Sequence, residues 1–330
     1  LENLKLIDES GLCISRKKYG KGFQYYDEQD QKITDPRLLR RLKSLVIPLM
    51  WNEVMICKWE DGHIQAIGRD QKGRKQYIYH SEWERQRQRE KFARMVDFGR
   101  QLPRIRQACH RQVVKGGWRK EKILALMVLI LDETGIRIGN ARYAKENKSY
   151  GLSTLRRKHL VVEDEALLFH FKGKSHQERH VMIEDDELVK LIKRSAEHPG
   201  YELFRYQAKA GSWRNIDSED INGYIQDVMQ AEFTSKDFRT WVATRLAVEC
   251  YPDALEQKSQ TPKKKFTNIL IRLVADELGN TPAICRNYYV HPEVMRLIDQ
   301  QTLPELANYR DAKSRHGHSA AEKLVLDVIN

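Results

Sequence analysis

The run Glu121-Lys122-Ile123-Leu124-Ala125-Leu126-Met127-Val128-Leu129-Ile130-Leu131-Asp132-Glu133 holds the longest wholly apolar stretch of the sequence. Its nine apolar residues, Ile123 to Leu131, leave no polar face on a helix, so the helix they form must be buried. Gly135 stands just past the end, where such a helix stops. Nine residues also fall well short of the roughly 18 that a membrane span needs.

Upstream, the first 80 or so residues read as strands and turns. Ile47 to Trp59 and Ile64 to Ile67 are rich in β-branched and aromatic residues, with Asp61-Gly62 as the turn between them. The basic turn Gly68-Arg69-Asp70-Gln71-Lys72-Gly73-Arg74-Lys75 then feeds Gln76-Tyr77-Ile78-Tyr79. In that strand Tyr77 and Tyr79 share one face, and Gln76 and Ile78 the other. The hairpin reads equally as a half-buried edge strand or as a basic element that meets phosphates and base edges in a groove. Glu82 to Gln101, with Arg85, Arg87, Arg89, Lys91 and Arg94, is a charged helical connector.

Downstream of the apolar run, helices dominate. The exception is Val161 to Ile183, where Val161-Val162, Leu167 to Phe171 and Val181 to Ile183 are strand-like. Glu163-Asp164-Glu165 and Gly173-Lys174-Ser175 separate them, which predicts a small antiparallel sheet with Lys174 near a hairpin tip. Ser218 is placed to cap a helix over 219–231 whose Ile221, Ile225, Val228 and Met229 share a face. Thr234-Ser235-Lys236-Asp237 opens another, with Phe238, Trp241, Val242 and Leu246 inside. Phe266, Ile269, Leu270, Leu273 and Val274 form a third apolar face ending at Gly279, and Pro282 and Pro292 suit first helical turns. Lys313 to His318 reads as a mobile surface loop. The fold class is therefore α+β, with a β-rich domain over 1–90 and a mainly helical domain over 91–330 carrying a small antiparallel sheet.

Composition narrows the partner. The 330 residues include 58 Lys and Arg against 46 Asp and Glu, a formal net charge of +12, and 41% are hydrophobic. That is enough apolar material for real cores in two domains. A basic soluble protein is expected to meet a polyanion, nucleic acid first, although the same charge also aids solubility. The five cysteines, Cys13, Cys57, Cys109, Cys250 and Cys285, are odd in number and never closer than 35 residues, which suits neither a zinc knuckle nor a disulfide framework. With no charged-then-apolar leader, a reducing cytoplasm is expected. The chain opens at Leu1 rather than Met, so a few native residues are expected to be missing.

Several chemistries fail on spacing. Gly173-Lys174-Ser175 suggests a phosphate-binding loop, but the glycine required five residues earlier is Leu168, and the glycine pair Gly68 and Gly73 is followed by Arg74. His176 and His180 bracket Glu178 in the wrong order for a zinc helix, and no Gly-x-Ser-x-Gly elbow occurs. Cutting a phosphodiester without metal or ATP then calls for side-chain cations and a side-chain nucleophile.

Six stretches, in order, resemble the type IB DNA topoisomerases, especially their compact bacterial and poxvirus-like branch. They are Gly68 to Tyr79, Glu133-Thr134-Gly135-Ile136-Arg137-Ile138-Gly139-Asn140, Tyr150-Gly151-Leu152-Ser153-Thr154-Leu155, Phe171-Lys172-Gly173-Lys174, Lys236-Asp237-Phe238-Arg239-Thr240-Trp241, and Asn280 through Pro292. The resemblance implies that Tyr289 is the nucleophile. Its neighbour Tyr288 is the rival, but the family's Tyr-apolar-x-Pro pattern fits only Tyr289-Val290-His291-Pro292. It further implies Arg137 and Arg239 as holders of the scissile phosphate and Lys174 as general acid. Nine residues before the tyrosine, where many members carry His, this chain has Asn280, which donates a hydrogen bond but moves no proton. Gln76, Tyr77, Tyr79 and Arg74 are implied to lie against DNA.

The chemistry is consistent with that assignment. A phosphodiester under attack gathers negative charge on its non-bridging oxygens, which planar guanidinium groups match. Arg239 is expected in the first turn of its helix and Arg137 soon after the Gly135 break, with helix N-termini adding positive potential. Tyrosine, with a reference pKa of about 10, is mostly un-ionised at pH 7 and benefits from nearby cations. The departing 5′ oxygen needs a proton, which a lysine on a hairpin tip supplies.

The resemblance thus implies an ATP-independent enzyme that relaxes supercoiled duplex DNA through a 3′-phosphotyrosyl intermediate. Its expected form is a bilobed clamp without cofactor or metal, monomeric, cytoplasmic and nucleoid-associated in a bacterium, with no membrane partner. A tyrosine recombinase is the nearest alternative, but its second-arginine motif has His three residues earlier, where this chain has Lys236. A non-catalytic duplex-binding protein is the other.

Overall fold

The computed structural model describes residues 4–162, 166–209, 211–309 and 316–330. The chain divides into two compact units, Leu1–Ala93 and Arg94–Asn330.

The first unit is built on one antiparallel sheet. Its strands are β1 (Ile14–Tyr19), β2 (Gly22–Tyr26), β3 (Asn52–Ile56), β4 (Ile64–Arg69) and β5 (Lys75–Tyr79), in the order β2-β1-β3-β4-β5. Helix α1 (Pro36–Ser44) is capped by Asp35 and opens on Pro36, and its Leu42 joins Ile14, Tyr25, Ile47, Val54, Ile56 and Ala66 in the core. The strand expected over 47–59 shrinks to β3. Pro48 has no N–H to give a ladder, and Glu53 at φ 49° sits in a register shift between Asn52 and Met55. On β5 the expected alternation holds. Tyr77 and Tyr79 stack on one exposed face with ring centroids 5.8 Å apart, while Gln76 and Ile78 are half-buried on the other.

Helix α2 (Ser81–Val113) is longer than the connector expected over 82–101, and the boundary between the units falls inside it. In the second unit α3 (Lys120–Thr134) is the apolar run. Every residue from Lys122 to Asp132 is buried, and Gly135 ends the helix in the left-handed region at φ 59°. Next come α4 (Ala141–Asn147) and the three-stranded antiparallel sheet of β6 (Leu160–Val162), β7 (Leu167–Lys172) and β8 (Glu178–Ile183). The expected acidic turn, Glu163 to Glu165, lies outside the described residues, as do Lys313 to Arg315 of the expected C-terminal loop. Helix α5 (Asp186–Ser195) and a two-stranded ribbon, β9 (Arg205–Gln207) with β10 (Trp213–Asn215), lead to α6 (Ser218–Met229). Asp217, not Ser218, caps α6, because its carboxylate accepts from the amides of both Glu219 and Asp220.

Helix α7 (Ser235–Glu249) begins with a capping box of Thr234 and Asp237 and packs against α3. Phe238, Trp241 and Val242 are fully buried, whereas Leu246 is half-buried. Helices α8 (Tyr251–Gln260) and α9 (Phe266–Leu278) follow, then α10 (Pro282–Ile284), which runs into a π turn over Cys285–Tyr289. Helix α11 (Pro292–Gln300) and helix α12 (Ala320–Ile329) complete the unit. Leu273, expected inside α9, is half-buried, while Ile271 joins its core.

A polar network anchors α12 under α7. Arg106 of α2 bonds Asp132 of α3 at 2.6 Å and Glu322 of α12 at 2.6 Å, and the Trp241 indole donates to Glu322 at 2.9 Å. Glu322 is 1% exposed. Burial alone raises its pKa, but the hydrogen bond and charge of Arg106, with Trp241 and Arg245, bring it well below the ordinary carboxylate range. A carboxylate held down in the folded state contributes stability above its unfolded value, about 4.5, and loses that contribution as pH falls below it. Glu322→Gln is expected to lower stability at pH 7 by about 3 kcal/mol and to flatten the acid limb of urea-denaturation stability below pH 5. An unchanged acid limb would show that Glu322 is not the titrating group.

Candidate active site

The site assembles around the C-terminal end of α9. The last carbonyls of a helix have no partners within it and carry the negative end of the helix dipole. Here three arginines from three different elements meet them. Arg179 of β8 donates to the carbonyls of Asp276 at 3.2 Å and Glu277 at 2.9 Å. Arg239 of α7 donates to the Leu278 carbonyl at 2.6 Å and also to the Gly135 carbonyl. Arg137, in the segment before α4, donates to the Gly279 carbonyl at 3.1 Å and to Oδ1 of Asn280.

Among the described residues, no Asp or Glu ion-pairs with any of the three, so the cluster keeps its positive charge. Burial, followed by the neighbouring Arg137, lowers Arg239 and Arg179 each to about 10, and burial also lowers Arg137. The guanidinium groups stay charged near neutrality. They are held by backbone dipoles, in a setting that an anion would relieve.

Local sequence explains how Arg137 gets there. Glycines at 139 and 151 let two backbone segments touch, since a Cβ on Gly151 would strike the Arg137 carbonyl and the Gly139 backbone. The contact is fastened by the Leu152 amide donating to Arg137 at 2.8 Å and the Ser153 amide donating to Ile138 at 2.7 Å. Two of the sequence motifs are thus one structural unit. Gly279 is required for two reasons. Its φ is 58°, and a Cβ would occupy the place of the Arg179 guanidinium.

Tyr289 closes the π turn and lies half-buried, with the Arg239 guanidinium 5.2 Å from its ring centre and close to its phenol. Nε of Arg239 and Nδ2 of Asn280 are buried without a hydrogen-bond acceptor among the described residues. Nδ2 does have the Cys285 thiol beside it. Tyr288 is 44% exposed. The Thr244 hydroxyl, fully buried on α7, accepts the His291 amide at 3.0 Å and lies 3.3 Å from the Tyr289 carbonyl, pinning the backbone on both sides of Val290.

The expected residues are not all brought together. Arg137, Arg239, Asn280 and Tyr289 converge. Lys174 is exposed in the short turn Lys174–His176 between β7 and β8, and its side chain makes no hydrogen bond or ion pair to a described residue. Gln76, Tyr77, Tyr79 and Arg74 belong to the first unit. There Arg74 ion-pairs with Asp70 at 2.7 Å, and Gln76 bonds the same carboxylate at 3.0 Å from the face opposite the tyrosines. Arg239 sits in the second turn of α7 rather than the first. The element that supports the arginines is a helix C-terminus, not the N-termini expected from sequence. Arg179 and Thr244 escaped the sequence reading because no motif or spacing marks them. A cavity of about 570 Å³ elsewhere in this unit is lined by Asp132, Glu133, Glu184, Asp185, Glu249 and Glu277 together with Arg106, His110 and Arg245, so its cations, unlike those of the cluster, have carboxylates beside them.

Comparison with known proteins bears on this geometry. Residues 80–315 match the family model described as eukaryotic DNA topoisomerase I, catalytic core, and residues 22–70 match bacterial DNA topoisomerase IB, N-terminal domain. The chain belongs to the type IB DNA topoisomerases. It is 33% identical over 294 residues to the DNA topoisomerase 1B of Acanthamoeba polyphaga mimivirus, covering 86% of this chain and 87% of that one. It is 23% identical over 296 residues to the DNA topoisomerase 1B of vaccinia virus (strain Copenhagen), covering 87% and 88%. Among solved structures, the XerH site-specific recombinase bound to palindromic difH in a post-cleavage complex aligns with a TM-score of 0.40 and 17% identity, over 61% of this chain and 50% of that one.

In this type IB topoisomerase an uncharged Asn280 leaves the Arg137 charge unpaired. Asn280→Asp, which sets a carboxylate against that guanidinium, is expected to slow single-turnover strand cleavage about 100-fold. Asn280→His, with a neutral donor, is expected to stay within about tenfold of wild type. Equal rates for the Asp and wild-type forms would mean that Arg137 does not need its charge free.

Proposed function

We propose that the chain relaxes supercoiled duplex DNA by cutting one strand with Tyr289 and resealing it. The observation that carries this reading is the half-buried Tyr289 set against Arg239, inside a cluster of guanidinium groups that ion-pair with no carboxylate among the described residues. The phenol oxygen attacks phosphorus, the phenol proton leaves to water, and charge gathers on the non-bridging oxygens facing Arg137, Arg239 and Nδ2 of Asn280. The bond to the 5′ oxygen breaks, and Lys174 gives that oxygen its proton. The 3′-phosphotyrosyl ester conserves the energy of the broken bond, so the reverse attack by the 5′ hydroxyl reseals the strand without ATP. Between the two steps the free end turns and superhelical strain is lost. Tyr77 and Tyr79 offer exposed aromatic faces to the duplex, while Gln76 and Arg74 contribute from the turn tied by Asp70.

We also read the protein as a bacterial, cytoplasmic, nucleoid-associated monomer. The match of residues 22–70 to a bacterial N-terminal domain, five free cysteines and a catalytic set contained in one chain support this.

Relaxation of a supercoiled plasmid in EDTA without ATP tests the proposal. The wild-type chain and Tyr288→Phe should yield a ladder of topoisomers. Tyr289→Phe should bind DNA within about twofold of wild type yet leave the plasmid supercoiled, a loss of at least about 10⁴-fold. Relaxation by Tyr289→Phe but not by Tyr288→Phe would reassign the nucleophile.

A further inference from the structure

Arg179 makes contacts that its role as a helix cap does not require. Its side chain is 8% exposed and lies opposite Phe171 in the β7–β8 ladder. Its stem passes over Gly173, where a Cβ would meet Arg179 Cγ, and its head fills the space beside Gly279. Gly173 immediately precedes Lys174, and Gly279 immediately precedes Asn280. One side chain therefore spans from the root of the lysine turn to the helix end that holds Arg137 and Arg239.

The same root is fixed from the other side. Ser149 Oγ donates to the Gly173 carbonyl at 2.7 Å, the Tyr150 amide donates to Lys172 at 2.8 Å, and the Gly173 amide donates to Gln177 at 2.8 Å. Beyond this root, Ser175 and His176 both occupy the left-handed region, at φ 62° and 59°, which non-glycine residues adopt only at a cost. The tip holding Lys174 is thus forced into one shape, and its place relative to the phosphate site is carried by Arg179. A Coulombic share in the anion site accompanies this, because the Arg137 charge disfavours the charged form of Arg179.

We propose that Arg179 is a positioning residue for the leaving-group proton, registering the Lys174 turn against the Arg137–Arg239–Asn280 cluster. The inference rests on the reading of Lys174 as general acid and deepens it. The step it serves is the rupture of the bond from phosphorus to the 5′ oxygen, in which the bonding pair goes to that oxygen and a proton arrives from the Lys174 ammonium. Misplacing the ammonium leaves an alkoxide to depart unaided. A residue that only held the fold would harm every cleavage alike.

Replacing the bridging 5′ oxygen by sulfur separates the two cases, because a thiolate leaves without a proton. Single-turnover adduct formation is measured on matched duplexes with oxygen or sulfur at the scissile position, alongside thermal unfolding. Arg179→Met is expected to slow the oxygen duplex about 30-fold and the sulfur duplex less than about threefold. Lys174→Ala should show the same selectivity, and the double variant should be no slower on oxygen than Lys174→Ala alone. Arg179→Lys, which keeps the stem over Gly173, should show a smaller loss confined to oxygen, and it decides the matter if the Met variant does not fold. Equal slowing of both duplexes by the folded variant overturns the proposal. A wild-type chain that forms no tyrosyl adduct on either duplex overturns the topoisomerase reading itself, and this inference with it.

Discussion

The candidate site is arranged around the negative C-terminal end of one helix. Four successive carbonyls, from Asp276 to Gly279, accept from Arg179, Arg239 and Arg137. Burying a guanidinium costs several kcal/mol unless it finds partners, and charge-assisted hydrogen bonds to carbonyls recover much of that. Carboxylates would recover more but would neutralise the site. Backbone dipoles hold the cations without cancelling them, so the charge stays available to an anion. Glycine at 279 is the consequence, since both the left-handed turn and the packed Arg179 head exclude a side chain there.

That constraint also explains the neighbouring architecture. The buried helix α3 ends at Gly135, whose carbonyl takes a bond from Arg239, so the C-terminus of α3 and the C-terminus of α9 are clipped together by one arginine. The backbone contact between Gly139 and Gly151 sets the direction of the Arg137 segment. Thr244, one turn beyond Arg239 on α7, fixes the chain just after Tyr289. Helix α7 therefore carries both the Arg239 cation and the clamp that holds Tyr289 beside it. Preorganisation of this kind is what makes electrostatic stabilisation effective, because the dipoles need not reorganise as charge develops.

Much of this was legible in the sequence. The apolar run, the Gly135 and Gly279 stops, the Thr234 cap and the three strands around Lys174 follow from local periodicity and turn chemistry. Arg137, Arg239, Asn280 and Tyr289 came from the order of motifs, and they converge. What the sequence did not disclose was long-range. Arg179 reads as an ordinary charged residue in a strand, because its partners lie 97 and 98 positions away. The same holds for Thr244, whose contacts to the peptide after Tyr289 cross more than 40 positions. The expectation of helix N-termini at the phosphate followed the usual anion-site logic; the tertiary packing instead uses a C-terminus to concentrate cations. Asp217 took the cap from Ser218 because a carboxylate reaches two amides at once.

The central claim is that the arginine cluster is left charged in order to meet the charge of the scissile phosphate. Replacing one non-bridging oxygen of that phosphate by methyl removes the negative charge while keeping the bond to be cut. Cleavage of the phosphodiester and of the methylphosphonate duplex by wild type and by Arg239→Ala measures the claim directly. The account predicts a loss of about 10²- to 10³-fold on the charged phosphate that shrinks to less than about tenfold on the neutral one. Equal losses on both would contradict it, because Arg239 would then be supporting the fold and not the charge.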